Sequence, residues 1–121
     1  MNGWIGVDLD GTLAHYEGWI GPEHIGEPIA PMVERVREWI AAGIEVRIFT
    51  ARVSHDGTQD RESQAEAARH AIEKWCRLKI GADLRVTNQK DYAMVELWDD
   101  RAVQVEMNTG RPIGFSTRGN H

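Results

Sequence analysis

Cysteine is nearly absent from the 121-residue chain, since Cys76 is the only one. A single cysteine excludes an intramolecular disulfide and a metal site built from several cysteines. The chain also lacks an apolar run of about 18 residues, which a membrane-spanning helix would need. The N-terminal stretch MNGWIGVDLD has neither a basic segment nor a long apolar segment, so no secretory leader is predicted. From these absences we expect a cytoplasmic protein with no membrane partner.

Lysine is the next scarce residue, with only Lys74, Lys79 and Lys90 in the chain, and the formal net charge is −5. Proteins that grip nucleic-acid backbones need a basic surface, so this charge disfavours a nucleic-acid partner without excluding one. A small phosphorylated substrate remains compatible with the composition, because one well-placed Lys or Arg can hold a phosphate group.

The order of strand-like and helix-like segments predicts an α/β domain over residues 1–108 with a parallel sheet. Helical spacing of apolar residues predicts helices over 31–43 and 60–80, the second capped by Asp60 or by a Ser63–Glu66 capping box. Short apolar runs predict strands at 3–9, 44–50, 84–87, 94–98 and 103–105. We expect the Gly- and Ser-containing tail, 109–121, to be mobile.

A Gly-, Pro- and aromatic-rich stretch, about residues 14–28, shows no clean period and is predicted to form a loop or a small hairpin flap. It contains His15, Tyr16, Trp19 and His24. Such a flap can contact a substrate, but we expect Trp19 mainly to pack the flap against the domain.

The octapeptide GVDLDGTL places two carboxylates, Asp8 and Asp10, at the end of the first predicted strand. Side chains at i and i+2 of a strand point the same way, so the two acids project together. Like charges this close repel. A bound cation, or a reaction that uses two carboxylates, would justify them; the alternative is a plain Asp10-Gly11 turn.

Other polar residues follow the remaining strands. Thr50, Ala51 and Arg52 follow the second strand, Lys90 the third, and Asp99-Asp100 the fourth. Ligands of open parallel sheets bind at the carboxyl ends of the strands, so we expect these groups to converge.

The set suits transfer of a phosphoryl group. Asp8 can attack phosphorus as a nucleophile, and Asp10 can act as general acid and base. The Thr50 hydroxyl and a following backbone N–H can hold a phosphoryl oxygen, and Lys90 can offset negative charge. Mg²⁺ is the cation that such oxygen ligands favour, with Asp99 or Asp100 completing its shell. Arg52 either contacts the substrate or pairs with a nearby acid.

These residues resemble the four motifs of the haloacid dehalogenase superfamily, in the family's order and over residues 3–105: GVDLDGTL, IFT, Lys90 and LWDD. The resemblance implies a Rossmann-like three-layer sandwich around a central parallel sheet, Mg²⁺ dependence and an aspartyl-phosphate intermediate. It implies metal binding by Asp8, by Asp10 through its backbone carbonyl, and by Asp99 with Asp100 as neighbour or alternate. The phosphate would meet Gly11, Thr50, Ala51, Arg52 and Lys90.

The segments 11–30 and 51–89 are too short for the large cap domain that many members of this superfamily carry. A capless member is therefore expected, and because such members often oligomerise, a homo-oligomer stays open. Three functions also stay open. They are hydrolysis of small phosphate monoesters, removal of phosphate from nucleotide or polynucleotide ends (IFTAR and the small flap resemble the phosphatase half of polynucleotide kinase-phosphatases), and non-catalytic binding of metal or phosphate.

Overall fold

The computed structural model describes residues 2–114. It contains two α-helices and six strands in the described part of the chain. They are β1 Trp4–Asp8, α1 Ala30–Ala41, β2 Glu45–Phe49, α2 Gln59–Lys79, β3 Arg85–Thr87, β4 Met94–Trp98, β5 Gln104–Val105 and β6 Pro112–Ile113. A single 3₁₀ turn, Ala51–Val53, directly follows β2. Neither helix has the length and apolar character needed to cross a bilayer, as far as residues 2–114 are concerned.

Four parallel strands form the central sheet, in the order β3-β2-β1-β4. The α/β class and the parallel sheet predicted from the sequence are thereby confirmed. The central position of β1 places the end of the octapeptide between the ends of β2 and β4. The predicted strand at 103–105 lies outside this sheet, because β5 pairs antiparallel with β6 in a small hairpin.

The main core lies on one face of the sheet. Alternate side chains of the strands, among them Val7 and Ile48, share one buried cluster with α1 and α2. Val36 of α1 and Ile72 of α2 are both fully buried in it. Since one cluster contains side chains from both helices, α1 and α2 cover the same face.

The opposite face carries no helix within residues 2–114, so this part of the chain shows the sheet and one helical layer of the predicted Rossmann-like three-layer sandwich. Such a sandwich needs helices on both faces, and the connection from β3 to β4, residues 88–93, is too short to contain one. The face is covered locally by the guanidinium of Arg47, which lies 4.3 Å from the ring centre of Trp4. Asp91 of the connection accepts a hydrogen bond of 2.9 Å from Trp4 Nε1.

The helix ends differ in detail from the predictions. Pro31 lies in the first turn of α1, as its fixed φ favours. α2 begins earlier than predicted, because Thr58 is its cap and accepts a hydrogen bond from the Arg61 N–H at 3.3 Å. Ser63 therefore lies inside the helix, and the predicted capping box is wrong.

The flap is closed at its base like a hairpin. Ala14 and Pro28 form an isolated antiparallel bridge, and the His15 N–H donates to the Glu27 carbonyl at 2.8 Å. Part of the predicted mobile tail, residues 109–114, contributes the β6 arm of the small hairpin. The rest of that tail, 115–121, lies outside the described residues.

Candidate active site

Three carboxylates converge at the carboxyl end of the sheet. Asp8 ends β1, and Asp99 and Asp100 follow β4, which pairs with β1 in parallel. One carboxylate oxygen from each residue lies within 4.8 Å of the others. The sequence analysis predicted this convergence from the strand ends, and the register of β1 and β4 produces it.

Thr12 and Gly11 hold this cluster together. The Thr12 hydroxyl lies 3.2 Å from Asp100 Oδ1 and 3.4 Å from Asp8 Oδ2, and its oxygen accepts the Asp100 N–H at 3.0 Å. Gly11 has a φ of 89°, and a Cβ there would lie 2.6 Å from Asp100 Oδ2. Only glycine leaves room for the Asp100 carboxylate, so the glycine of the octapeptide shapes the acidic cluster.

The surroundings of the Asp8 carboxyl group shift its pKa strongly. Its pKa is raised from 3.8 to about 8, first by burial and then by a hydrogen bond with Asp100 and the charges of Asp99, Asp100 and Asp10. All of these causes disfavour the ionised form. A divalent cation with a preference for oxygen ligands would relieve them, and Mg²⁺ is such a cation. The donor set therefore fits the predicted metal.

The Asp10 carboxylate turns to Arg52 instead of joining this cluster. Arg52 Nε and Nη2 each donate to one Asp10 oxygen at 2.8 Å, which is the two-pronged geometry that makes such pairs strong. Arg52 is only 7% exposed and also donates from Nη1 to the His24 carbonyl at 2.8 Å. Of the two roles left open for Arg52, the structure shows the pair with an acid.

Thr50 is buried at the end of β2 and caps the 3₁₀ turn. Its Oγ1 accepts the Arg52 N–H at 3.1 Å, and its own N–H donates to the Thr87 carbonyl at 2.9 Å. The hydroxyl proton of Thr50 makes none of these bonds and can be donated to a ligand. Thr50 and Ala51 both line the cavity beside Asp8.

This cavity has a volume of about 710 Å³. Its lining consists of the predicted acids, the start of the 3₁₀ turn and several residues that the sequence analysis did not place there. The lining residues are Asp8, Asp10, Tyr16, Trp19, Phe49, Thr50, Ala51, Arg52, Arg61, Gln64, Asp99, Asp100 and Arg101.

None of the protein-family models, curated proteins and solved structures compared with the chain matches it. A functional conclusion therefore has to come from the residues of the cavity.

Lys90 is a predicted site residue that does not line the cavity. It is exposed, and it forms no ion pair with any acid within residues 2–114. The connection from β3 to β4 leads away from the site, since Asp91 already lies beside Trp4, at the amino end of β1. The lysine was assigned to the site from its place after a strand, which does not fix the direction of the following loop.

Several of the lining residues were not predicted from the sequence, although the sequence contained an indication for some of them. Arg61 and Gln64 lie in the first turns of α2 at helical spacing and share a hydrogen bond of 3.2 Å. Trp19 was expected to pack the flap down, yet its side chain is 52% exposed and faces the cavity. A large aromatic residue in a flap next to a candidate site was the signal for that role.

Proposed function

We propose that the protein is a Mg²⁺-dependent phosphatase that hydrolyses phosphate monoesters through an aspartyl-phosphate on Asp8. The observation that carries this proposal is the approach of Asp8, Asp99 and Asp100 to within 4.8 Å at the edge of the sheet. Beside them lies a cavity with hydroxyl and guanidinium groups, which suit a phosphate. The proposed function agrees with the resemblance of the sequence to the haloacid dehalogenase superfamily. Membership of that superfamily is part of the same proposal.

In the proposed reaction an Asp8 oxygen attacks phosphorus, and the bond from phosphorus to the ester oxygen breaks. The leaving oxygen keeps the electron pair of the broken bond and takes a proton from Asp10, which must enter this step as the carboxylic acid. Water then attacks the aspartyl-phosphate, Asp10 takes a proton from it, and inorganic phosphate leaves with Asp8 restored as a carboxylate. The two hydrogen bonds from Arg52 hold the ionised Asp10 in position, which is the form that accepts the proton of the attacking water in the second step.

The metal would be held by Asp8, Asp99 and Asp100, with the Asp10 backbone carbonyl as a further ligand that the resemblance implies. When bound, Mg²⁺ supplies positive charge that offsets the repulsion between the carboxylates and the phosphate. The Thr50 hydroxyl and the backbone around Gly11 and Ala51 would hold phosphoryl oxygens. The catalytic role of Lys90 stays a prediction of the sequence alone, and guanidinium groups supply the cationic charge on the cavity wall.

The non-catalytic alternative is less favoured, because Asp8, Asp10 and Thr50 form a complete set for two-step hydrolysis around one cavity. A purely metal-binding subunit would need only the three acids of the cluster. The cytoplasmic location expected from the sequence stays a prediction, and the question of a homo-oligomer stays open.

The test measures release of inorganic phosphate from an aryl phosphate with Mg²⁺. We expect turnover by the native protein, none by Asp8→Asn, and loss of turnover when the metal is chelated. Asp83→Asn is the matched control, because Asp83 is highly exposed and lies outside the cavity. Equal rates for Asp8→Asn and Asp83→Asn would contradict the proposed nucleophile.

A further inference from the structure

The cavity is much larger than a phosphate group bound at the three carboxylates would need. Small-molecule sites commonly have volumes of about 300–1,000 Å³, and this cavity, at about 710 Å³, falls within that range. A phosphate at the carboxylates would fill only its inner part. The outer part, next to the flap, is left for the group that the phosphate is attached to, and its lining therefore decides which esters fit.

Two aromatic side chains of the flap line the cavity, Tyr16 and Trp19, which are 50% and 52% exposed. Trp19 is held from one side, since the Arg52 guanidinium lies 5.0 Å from its ring centre. Arg52 is itself buried and fixed by Asp10 and by the His24 carbonyl. The indole is thus supported on a rigid guanidinium next to the general acid, with half of its surface still exposed.

Cationic donors line the same cavity. The Arg101 guanidinium makes no hydrogen bond or ion pair within residues 2–114, whereas Arg61 donates to the Arg52 carbonyl at 3.0 Å. A leaving group with a flat ring and hydrogen-bond acceptors would meet an aromatic face and a cationic donor together. A sugar or polyol has no planar π-system, so its contact with the indole would be weaker than that of a base.

We propose, resting on the proposed phosphatase function, that the substrate is a nucleotide-type phosphate monoester whose base stacks on Trp19. The shared chemistry is a phosphate ester beside a planar heteroaromatic ring. The ring belongs either to a free mononucleotide or to the terminal nucleotide of an oligonucleotide. Stacking of a base on an aromatic side chain is sequence-tolerant, so all bases are accepted.

The kinetic test compares adenosine 5′-monophosphate with ribose 5-phosphate, which differ by the base. We expect kcat/KM to be higher for the nucleotide by roughly fivefold to a hundredfold, the range that one stacked base supplies. Trp19→Ala should bring this ratio close to one, and Trp19→Phe should keep most of it. Tyr92→Ala is the control, because Tyr92 is a fully exposed aromatic residue outside the cavity.

A binding test separates this inference from the proposed reaction. In the Asp8→Asn protein with Mg²⁺, adenosine 5′-monophosphate should quench tryptophan fluorescence, and ribose 5-phosphate should not. The quenching should disappear when Trp19→Phe is added, while the melting temperature shows that the flap variant is folded. Quenching without turnover by the native protein would refute the phosphatase and keep the nucleotide site.

Other outcomes overturn the inference alone. Turnover with equal kcat/KM for both esters, or a nucleotide preference that Trp19→Ala leaves unchanged, would show that no base stacks on Trp19. A third substrate, a short 3′-phosphorylated oligonucleotide, identifies the source of the ring. A higher kcat/KM on it assigns the stacked base to a nucleic-acid end, and a lower value assigns it to a free nucleotide.

Discussion

Removing the charge of Asp8 should stabilise the metal-free protein while it abolishes turnover. The folded-state pKa of Asp8 is about 8, above the ordinary value of 3.8. Between these two pH values, the folded protein therefore keeps a proton on Asp8 that the unfolded chain has released. Stability therefore falls as pH rises through this window, and the loss is complete above pH 8. Asparagine has no proton to release, so Asp8→Asn should escape this loss.

The magnitude follows from the same pKa difference. One pKa unit corresponds to ~1.4 kcal/mol, which for the full difference would give a ceiling of several kcal/mol. Asp8 is only partly buried, and solvent screens its charge, so we expect an effect of ~1–2 kcal/mol. For a domain of this size that corresponds to an increase of roughly 4–8 °C in melting temperature.

The assay is thermal unfolding in a metal chelator, at pH values near 5 and near 9. We expect Asp8→Asn to melt higher than the native protein at the alkaline pH and to differ much less at the acidic one. Asp83→Asn again serves as the control for loss of one negative charge. Equal melting temperatures of Asp8→Asn and the native protein at alkaline pH would refute the repulsion described for the carboxylate cluster.

The other predictions concern the metal, Arg52, Gly11 and Lys90. Mg²⁺ at a hundredfold excess over its Kd should stabilise the native protein by ~3 kcal/mol in thermal unfolding, and a melting temperature independent of Mg²⁺ would contradict a metal site. Arg52→Ala should lower the free energy of unfolding by ~3 kcal/mol, because it leaves the Asp10 carboxylate without its partner. The same variant should reduce kcat strongly. Equal stability of Arg52→Ala and Arg52→Lys would argue against the two-pronged pair. Gly11→Ala should weaken Mg²⁺ binding in calorimetric titration by pushing the carboxylate it contacts away, and an unchanged Kd would exclude that contact. Lys90→Ala should reduce kcat less than Arg52→Ala does. The reverse order would show that Lys90 acts at the site.

The sheet and the acidic cluster could be predicted from the sequence because both follow from local rules. The apolar run of β1 placed Asp8 at its carboxyl end, and the parallel order of strands brought Asp99 and Asp100 to the same edge. The cluster needs only that each strand ends where its apolar run ends. No knowledge of loops was required.

The paths of loops and the partners of long side chains could not be predicted from the sequence. The course of residues 88–93 decides where Lys90 lies, and a hydrophobic pattern does not record that course. The partner of Arg52 was open, because a long side chain can reach several acids and only the folded flap supplies the His24 carbonyl. The third layer was implied by resemblance alone, although the predicted elements already contained only two helices.

Trapping the proposed intermediate tests the central claim most directly. The protein is mixed with Mg²⁺ and an excess of aryl phosphate, quenched in acid, and examined by mass spectrometry. We predict one added phosphoryl group on the peptide that contains Asp8, and no such adduct in Asp8→Asn. Steady release of phosphate with no adduct on that peptide, continuing in Asp8→Asn, would contradict the account.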